Sequence, residues 1–317
     1  MLDYIDADRF DKTTFYSEVA LQHMPVMLEE VVGFLNPSQG EVIVDATIGC
    51  GGHARAILER VRPNGRLIGI DQDQEAINCT RENLKEFRDS LFLVNENFRN
   101  LETIMGKLEI KKIDGILFDL GVSSLHLDTA ERGFSIKYNN APLDMRMNKR
   151  SRISAFELVN SLPLEELSRI LMVYGEERFH AKIARAIVEQ RKKGLITTTG
   201  ELADIVMRAQ RNHKFYKIHP ATRTFQAFRI AVNNEIESFE AALKTCASFL
   251  NPGARICVLS YHSLEDRVAK QAFRSFEKEG HLKRLTKKPL RPSQTELARN
   301  PRARSAKLRV AEKNEDI

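Results

Sequence analysis

The chain has 317 residues, long for one domain and short for three, and 42% of them are hydrophobic, which is enough for a sizeable core. No apolar run approaches the roughly 18 residues of a membrane span, and residues 1–20 are acidic and mixed rather than signal-like, so we expect a cytoplasmic protein. The net charge of +6 is uneven: residues 1–131 carry −10, whereas residues 132–222 and 281–310 carry +8 and +9. Cations concentrated in two segments favour RNA or DNA as a partner over a merely solvated basic face.

Short apolar runs of strand length recur along the chain, and most are followed by helix-like stretches. They lie at 42–44, 67–70, 91–94, 113–120 and 255–261. Strands that alternate with helices predict a mainly parallel sheet with helices on both faces, an α/β fold.

The long gap between the fourth and fifth runs contains no comparable strand. Residues 164–174, 179–193 and 200–212 read as helices instead, the last with Thr199 as a candidate N-cap and Thr198 beside it. We therefore predict an inserted helical domain at 132–222, within an α/β domain formed by residues 1–131 and 223–317.

The return to the α/β domain is predicted to begin with one long helix. This helix spans 222–250 and is ended by Asn251, Pro252 and Gly253. Residues 305–310 alternate in strand fashion and predict a late edge or hairpin strand.

A glycine-rich loop follows the first apolar run. Asp45 ends that run, Gly51 and Gly52 follow within the loop, and His53 stands at a predicted helix start. Glycines let the backbone turn sharply and approach a ligand closely, and the free N–H groups of a helix start lie beside it. Asp71 ends the second run, 20 residues beyond Gly51, where a carboxylate would meet ribose hydroxyls. The segment predicts a nucleotide-type cofactor site rather than an ordinary strand–turn–helix connection.

Two details bear on which cofactor this loop binds. Residues 49–54 fit the pattern G-x-G-x-x-A, so a nicotinamide or flavin dinucleotide is an alternative, and with it an NAD-dependent oxidoreductase. Asp45 ahead of the glycines would face an ammonium group better than a pyrophosphate, and S-adenosylmethionine carries an ammonium and no phosphate. The loop lacks a Lys followed by Ser or Thr, which excludes a P-loop. S-adenosylmethionine is the preferred cofactor.

Asp119, at the end of the fourth run, is the candidate catalytic residue. The carboxyl ends of strands in an open α/β sheet face the ligand crevice, so Asp119 should lie near the reacting centre. If the methyl acceptor is an exocyclic amine, a carboxylate can orient its N–H bonds and take up a proton. The alternative is a turn or helix cap.

His262, which follows the fifth run, is a second and weaker catalytic candidate. The alternative for His262 is a structural role through a hydrogen bond. For His53, a backbone contact to the cofactor is favoured over a role as a catalytic base. The four cysteines show no C-x-x-C pairing, so we expect four free thiols and no metal site.

Nine separated motifs resemble the bacterial small-subunit ribosomal RNA N4-cytosine methyltransferases, the MraW or RsmH family. They are HMPVM at 23–27, GGH at 51–53, DLGVSS at 119–124, ERGFS at 131–135, PLDMRM at 142–147, YGEE at 174–177, HPATRTFQA at 219–227, SYHSLED at 260–266 and NPRARS at 300–305. The resemblance runs from about residue 23 to residue 310.

The resemblance implies a Rossmann-like S-adenosylmethionine-dependent methyltransferase domain with an inserted all-helical domain. The implied activity is N4-methylation of a cytidine in the decoding-site (P-site) region of 16S rRNA, and the implied partner is the small ribosomal subunit, with a homodimer as an option and no membrane. By family motif, the methyl donor is held by Gly51, Gly52, His53, Asp71, Phe98 beside the adenine, Asp119 and the position of His126. The usual motif reads SSPQLD, whereas Leu125 and His126 stand here for Pro and Gln.

Two further expectations complete this interpretation. Basic residues would grip RNA phosphates: Arg146, Lys149, Arg150 and Arg152 in the insertion, and Arg302 and Arg304 near the end of the chain. The third class of function, besides methyltransferase and oxidoreductase, is a non-catalytic RNA-binding module.

Overall fold

The structure is a computed structural model that describes residues 24–210 and 219–315. The chain divides into two compact units, one formed by the residues up to Gly121 together with Ala242 onward, the other by Val122–Ala241. The sequence-based boundaries at 132 and 222 both lie inside the second unit. The reason is that the chain on either side of them packs on the helical core of that unit.

The first unit is built on a seven-stranded sheet. Its strands are β1 Val42–Asp45, β2 Arg66–Asp71, β3 Leu91–Asn95, β4 Ile113–Asp119, β5 Leu250–Ser260, β6 Leu282–Arg284 and β7 Lys307–Lys313. The order is β3-β2-β1-β4-β5-β7-β6, with the first five strands parallel and the pairs β5–β7 and β7–β6 antiparallel. Strand order reverses between β1 and β4, the point where open α/β sheets bind ligands.

The last strand is antiparallel to its neighbours, as in the hairpin alternative of the prediction, but it does not lie at an edge. β7 is not an edge strand, because it lies between β5 and β6, and its residues from Leu308 to Ala311 are buried. The edge on this side of the sheet is β6, which has only three residues and therefore leaves too short a pattern to recognise.

Thirteen α-helices are described in the two ranges given above. They are α1 Leu28–Leu35, α2 Gly52–Val61, α3 Gln74–Asn83, α4 Leu101–Lys107, α5 Ser124–Asp128, α6 Ala155–Ser161, α7 Leu164–Val173, α8 His180–Arg191, α9 Thr199–Ala209, α10 Thr222–Asn233, α11 Glu235–Phe249, α12 Ser263–Lys278 and α13 Gln294–Arg299. Helices α5 to α10 belong to the second unit, and α11 begins in the second unit and ends in the first.

Each unit has its own hydrophobic core. In the first, strand residues such as Ile43, Leu117 and Cys257 pack with helix residues including Ile57. In the second, α7 to α10 each contribute buried apolar side chains, among them Leu171, Ile183, Val206 and Phe228. The contribution of α10 explains why the helical unit extends well beyond residue 222.

The single long helix expected at 222–250 is two helices. Asn234 adopts a left-handed backbone with φ 49°, and its N–H donates to the carbonyl of Ile230, which ends α10 before α11 begins. Asn tolerates this conformation better than most residues. Asn251, Pro252 and Gly253 lie within β5 rather than in a separate helix stop.

The N-terminus of α9 is also displaced from its prediction by one residue. Thr198, not Thr199, is the N-cap: its Oγ1 accepts the N–H of Glu201, and Glu201 Oε2 accepts the N–H of Thr198. This reciprocal pair is a capping box. The predicted end of the helix at residue 212 lies outside the described residues.

Candidate functional site

The loop between β1 and α2 requires glycine at two positions. Gly51 has φ 87°, and a Cβ there would lie 2.8 Å from Leu84 Cδ1. Gly52 opens α2, and a Cβ there would lie 2.7 Å from Pro25 Cγ. Leu84 and Pro25 thus pack against the loop on two sides, so a side chain at position 51 or 52 would force the loop or its neighbour to move.

Asp71, at the carboxyl end of β2, is tied to this loop. Its Oδ2 accepts the N–H of Gly49 at 3.0 Å, and its Oδ1 accepts the N–H of Asp73 at 2.9 Å. Two backbone donors hold the carboxylate in a defined orientation, and the residue is only partly buried. Its predicted place beside the glycine loop is what the structure shows.

Phe98 lies just after β3, at the next strand end along the sheet. Its ring meets that of Phe118 edge to face, with the centroids 5.9 Å apart. Phe118 is fully buried in β4, whereas Phe98 is half-buried. A partly exposed ring backed by a core ring can offer a face to a planar ligand.

Asp45 is the most deeply buried carboxyl group of the site. It is 2% exposed, and its Oδ1 accepts the N–H of Thr47 at 3.1 Å. Burial, with a smaller contribution from the nearby carboxylates Asp119 and Asp71, raises the pKa of Asp45 to about 8 against the lowering effect of the Thr47 hydrogen bond. A cationic ligand group at this point would favour the ionised form.

Asp119 ends β4 and is held by contacts from three parts of the first unit. The hydroxyl of Tyr261 donates to Asp119 Oδ1 at 2.7 Å, and His53 Nδ1 lies 3.5 Å from Asp119 Oδ2. The backbone N–H of Asp119 donates to Thr47 Oγ1 at 2.6 Å. The expected carboxylate therefore stands where the carboxyl ends of β1 and β4 meet, and its side chain is 24% exposed.

His53 is buried between the loop and the segment before α1. Its Nε2 lies 3.0 Å from the carbonyl oxygen of Val26, and the residue is 5% exposed. A carbonyl only accepts, so Nε2 carries the hydrogen of this bond and Nδ1 faces Asp119. The imidazole therefore links the chain before α1 to the Asp119 carboxylate. These contacts do not involve the backbone N–H of His53.

The sequence analysis proposed His262 as a catalytic candidate, but in the structure it is the neighbouring Tyr261 that contacts Asp119. His262 is the N-cap of α12: its Nδ1 accepts the N–H of Glu265, and its Nε2 lies 3.1 Å from Glu265 Oε1. This geometry favours the structural alternative for His262. The Tyr261 hydroxyl donates to Asp119 instead. The position of this polar aromatic residue, at the end of the strand beside β4, could have suggested this role from the sequence.

In the second unit, His126 is part of a capping box. Ser123 caps α5, and its backbone N–H donates to His126 Nδ1 at 3.2 Å. The imidazole packs on the ring of Phe134, with the centroids 4.7 Å apart, and the residue is 4% exposed. A Gln at this position would make the same capping bond, so the departure from the family motif preserves the start of the helix.

The basic residues expected to bind phosphates differ in their hydrogen bonds and in their exposure. Arg146 donates twice to Asp144 and also to the carbonyls of Lys149 and Ser151, so its guanidinium is committed within the unit. The expectation that Arg146 contacts a phosphate stays a prediction, and its side chain is 26% exposed. Lys149, Arg150 and Arg152 are exposed in the second unit, and Arg302 and Arg304 are exposed in the first.

The expectation of four free thiols is wrong for two of them. Cys50, in the glycine loop, and Cys79, in α3, form a disulfide across 29 residues of sequence. Their spacing carries no local signal, because the loop and α3 meet only in the folded sheet. Cys246 and Cys257 are free and buried.

The class of protein follows from this arrangement. A sheet of this order, with carboxylates at the ends of β1, β2 and β4 beside a glycine loop, defines a Rossmann-like domain with a nucleotide-type cofactor site. No helix within the described ranges has the length and apolar character needed to cross a membrane.

Comparison with known proteins identifies the family. Residues 20–314 match the MraW methylase family, and the chain belongs to it. It is 45% identical to the ribosomal RNA small subunit methyltransferase H of Clostridium botulinum (strain Kyoto / Type A2), over 92% of this chain and 99% of that protein. It is 44% identical to the protein of the same name from Brevibacillus brevis, over 93% and 99%. A methyltransferase structure from Streptococcus mutans in complex with SAH matches with a TM-score of 0.44 and 13% identity, over 92% and 99%.

Family membership decides between the two cofactors that the loop left open. A methylase uses a methyl donor, so the cofactor is S-adenosyl-L-methionine and the dinucleotide alternative is set aside.

Proposed function

We propose that the chain methylates the exocyclic N4 of a cytidine in the decoding-site (P-site) region of 16S rRNA, within the small ribosomal subunit and hence in the cytoplasm. The names of its relatives support a small-subunit ribosomal RNA substrate. The observation that carries the proposal is Asp119, a carboxylate held at the strand-order reversal by Tyr261 and Thr47.

An exocyclic amine needs such an acceptor. The lone pair of cytosine N4 is delocalised into the ring, so the amine becomes nucleophilic only as its N–H bonds are oriented and a proton is removed. Asp119 would accept a hydrogen bond from N4–H and take the proton as the N4–carbon bond forms and the carbon–sulfur bond of the methyl donor breaks, which leaves S-adenosylhomocysteine as the second product. Most of the remaining acceleration comes from holding the amine in line with the methyl group.

The residues of the first unit fit S-adenosylmethionine, which supplies a methyl group made electrophilic by its sulfonium. Three carboxylates, Asp45, Asp71 and Asp119, interact electrostatically, an arrangement that suits a cationic ligand and opposes a pyrophosphate. We assign Asp45 to the ammonium group, Asp71 to the ribose hydroxyls and Phe98 to the adenine face.

Further donor contacts follow from the loop and the family motif. Gly52 and His53 present backbone N–H groups at the start of α2. The N–H of Gly51 donates to the carbonyl of Ile48, so we assign Gly51 to the close approach of the backbone to the donor. The family motif implies a further donor contact at the position of His126, which stands in the capped turn of α5. His262, the N-cap of α12, is a second candidate for orienting the amine.

The basic residues supply RNA affinity. Lys149, Arg150 and Arg152 in one unit, and Arg302 and Arg304 in the other, are exposed and would neutralise phosphates. Cytosine N4 is engaged in pairing within a helix, so the target base has to be unpaired or extruded before transfer.

The test is transfer of a tritiated methyl group to small-subunit particles that lack the modification, followed by digestion and separation of nucleosides. We expect the label in N4-methylcytidine from the decoding region. Label in another nucleoside would contradict the proposal. RNA binding with no transfer to any particle would favour the non-catalytic module, and an Asp119→Asn sample run in parallel serves as the low-activity reference.

A further inference from the structure

One contact of the site has no part in cofactor binding as assigned above. Tyr261 follows β5 directly, and its hydroxyl donates to Asp119 Oδ1 at 2.7 Å across 142 residues of sequence. The backbone N–H of Tyr261 donates to Glu265 Oε2 at 2.7 Å, which anchors the residue to α12. The tyrosine is thus fixed at both ends, by its main chain and by its hydroxyl.

The hydroxyl of Tyr261 is the donor of this hydrogen bond, because the phenol stays protonated. Burial, followed by the charge of Asp119 and its hydrogen bond, raises the pKa of Tyr261 well above its ordinary value. A protonated phenol that contacts a carboxylate oxygen at this distance donates to it, and such a charge-assisted bond favours the ionised carboxylate.

We infer that Tyr261 is a positioning residue for methyl transfer: it holds the Asp119 carboxylate ionised and correctly rotated so that this group can accept the proton of the substrate amine. His53 stands at the other oxygen, with Nδ1 3.5 Å from Oδ2. Tyr261 and His53 therefore flank Asp119 on its two oxygens. The inference rests on the proposed function, because that function supplies the identity of the amine. The contact between Tyr261 and Asp119 is independent of it.

Several titratable groups surround this pair and have to be separated from it. Asp119 faces His53 at the start of α2, Asp45 at the end of β1 and, through Asp45, Asp71 at the end of β2. Tyr261 lies within the influence of Glu265 in α12 and Glu296 in α13. Of these, Asp45 matters most, because its pKa of about 8 lies within the range of an activity profile.

The experiment is the pH profile of single-turnover transfer at saturating methyl donor, for the wild type and for Tyr261→Phe. Loss of a hydrogen bond to a charged group corresponds to about 1.5–3 kcal/mol, so the acid limb of the profile should move up by roughly one to two pH units. The same comparison in an Asp45→Asn background removes the nearby group that titrates in this range. The shift should persist there.

A matched control is Tyr174→Phe, which removes a tyrosine–carboxylate hydrogen bond to Glu237 in the second unit. It should leave the acid limb where it is. A thermal unfolding curve for each variant checks that the phenylalanine ring preserves packing.

A readout independent of turnover comes from the carboxyl carbon of Asp119, observed by NMR in selectively labelled, cofactor-free protein. Its titration midpoint should rise in Tyr261→Phe. An unchanged midpoint together with an unchanged acid limb would overturn the inference. A wild type that makes no N4-methylcytidine would overturn the proposed function instead, and the carboxyl titration would still decide whether Tyr261 controls Asp119.

Discussion

At the scale of single residues, the site depends on carboxylates whose surroundings differ. Asp71 is held by two backbone N–H groups, Asp119 by a tyrosine hydroxyl, and Asp45 is buried with one backbone donor. The same chemical group can therefore bind a ribose, accept a proton or meet a cation according to its neighbours.

Replacing Asp119 by Asn tests the proton acceptor. The variant keeps the shape of the side chain, so we expect the fold to persist, while single-turnover methyl transfer at saturating donor falls roughly 10²-fold or more. Saturating donor separates a loss of chemistry from weaker cofactor binding. Transfer at the wild-type rate under these conditions would show that Asp119 takes no part in the reaction.

The raised pKa of Asp45, about 8, predicts how stability depends on pH. The folded chain holds a proton there that the unfolded chain releases near pH 4, so the stability contributed by the neutral carboxyl falls as pH rises from about 4 to about 8. Asp45→Asn cannot ionise and keeps an acceptor for Thr47. A pKa about 4 above its ordinary value corresponds to about 5 kcal/mol, so we expect its melting temperature to exceed that of the wild type by roughly 10 °C at pH 8.5 and to match it near pH 4.

Thermal unfolding across this pH range, with and without S-adenosylmethionine, measures the effect of Asp45→Asn. Saturating methyl donor should reduce the difference at pH 8.5, because its ammonium favours the ionised wild-type carboxylate. Equal melting temperatures at every pH would mean that Asp45 stays ionised in the folded protein.

At the scale of elements, the glycine loop is fastened to α3 in more than one way. Thr80 Oγ1 donates to the Gly49 carbonyl at 2.6 Å, and Asn83 Nδ2 donates to the Cys50 carbonyl at 3.0 Å. The disulfide between Cys50 and Cys79 adds a covalent link to the same pair of elements. The conformation of the loop therefore does not depend on the disulfide alone.

Reduction of the disulfide should lower the free energy of unfolding by about 2–4 kcal/mol, because the unfolded chain regains freedom within the 29-residue separation. The affinity for S-adenosylmethionine should change less than threefold, since the hydrogen bonds from Thr80 and Asn83 remain. Urea unfolding and calorimetry with and without a thiol reductant measure both quantities. A tenfold loss of affinity on reduction would mean that the disulfide itself shapes the cofactor loop.

The control for this experiment is a Cys50→Ser, Cys79→Ser double variant, which reductant should not affect. The other two thiols do not complicate it. Burial raises the pKa of Cys257 to about 12 and that of Cys246 beyond the range of ordinary thiols, so both stay protonated and unreactive.

At the scale of the whole molecule, charge and chemistry are divided along the chain. Residues 1–131 carry a net charge of −10 and include the carboxylates of the site, whereas residues 132–222 and 281–310 carry +8 and +9. Cofactor binding and RNA binding can therefore be weakened separately by substitution.

Replacing Lys149, Arg150 and Arg152 by Ala should weaken binding to small-subunit RNA and reduce the slope of log affinity against log salt by up to about 2, the value for three lost contacts to single-stranded phosphates. Binding of S-adenosylmethionine should persist. A triple Ala variant at Lys85, Lys107 and Lys111, which are equally exposed cations of the acidic half, is the matched control. The same salt slope in both variants would contradict an RNA-binding role for the first set.

Local patterns in the sequence were sufficient for much of the fold and part of the site. Five apolar runs marked the parallel strands, and the glycine loop with Asp45, Asp71 and Asp119 marked the carboxyl ends where a ligand binds. These features depend on backbone conformation and on strand ends, both of which a few neighbouring residues determine. The family motifs then limited the cofactor to a methyl donor.

Tertiary structure alone decided the contacts between distant segments. The Tyr261 hydroxyl meets Asp119 only because β5 lies beside β4, and Cys50 meets Cys79 only because the loop folds against α3. Helix α10 joins the helical core instead of the sheet. In each case the partner is selected by packing and hydrogen-bond geometry in three dimensions, and spacing along the chain carries no record of that selection.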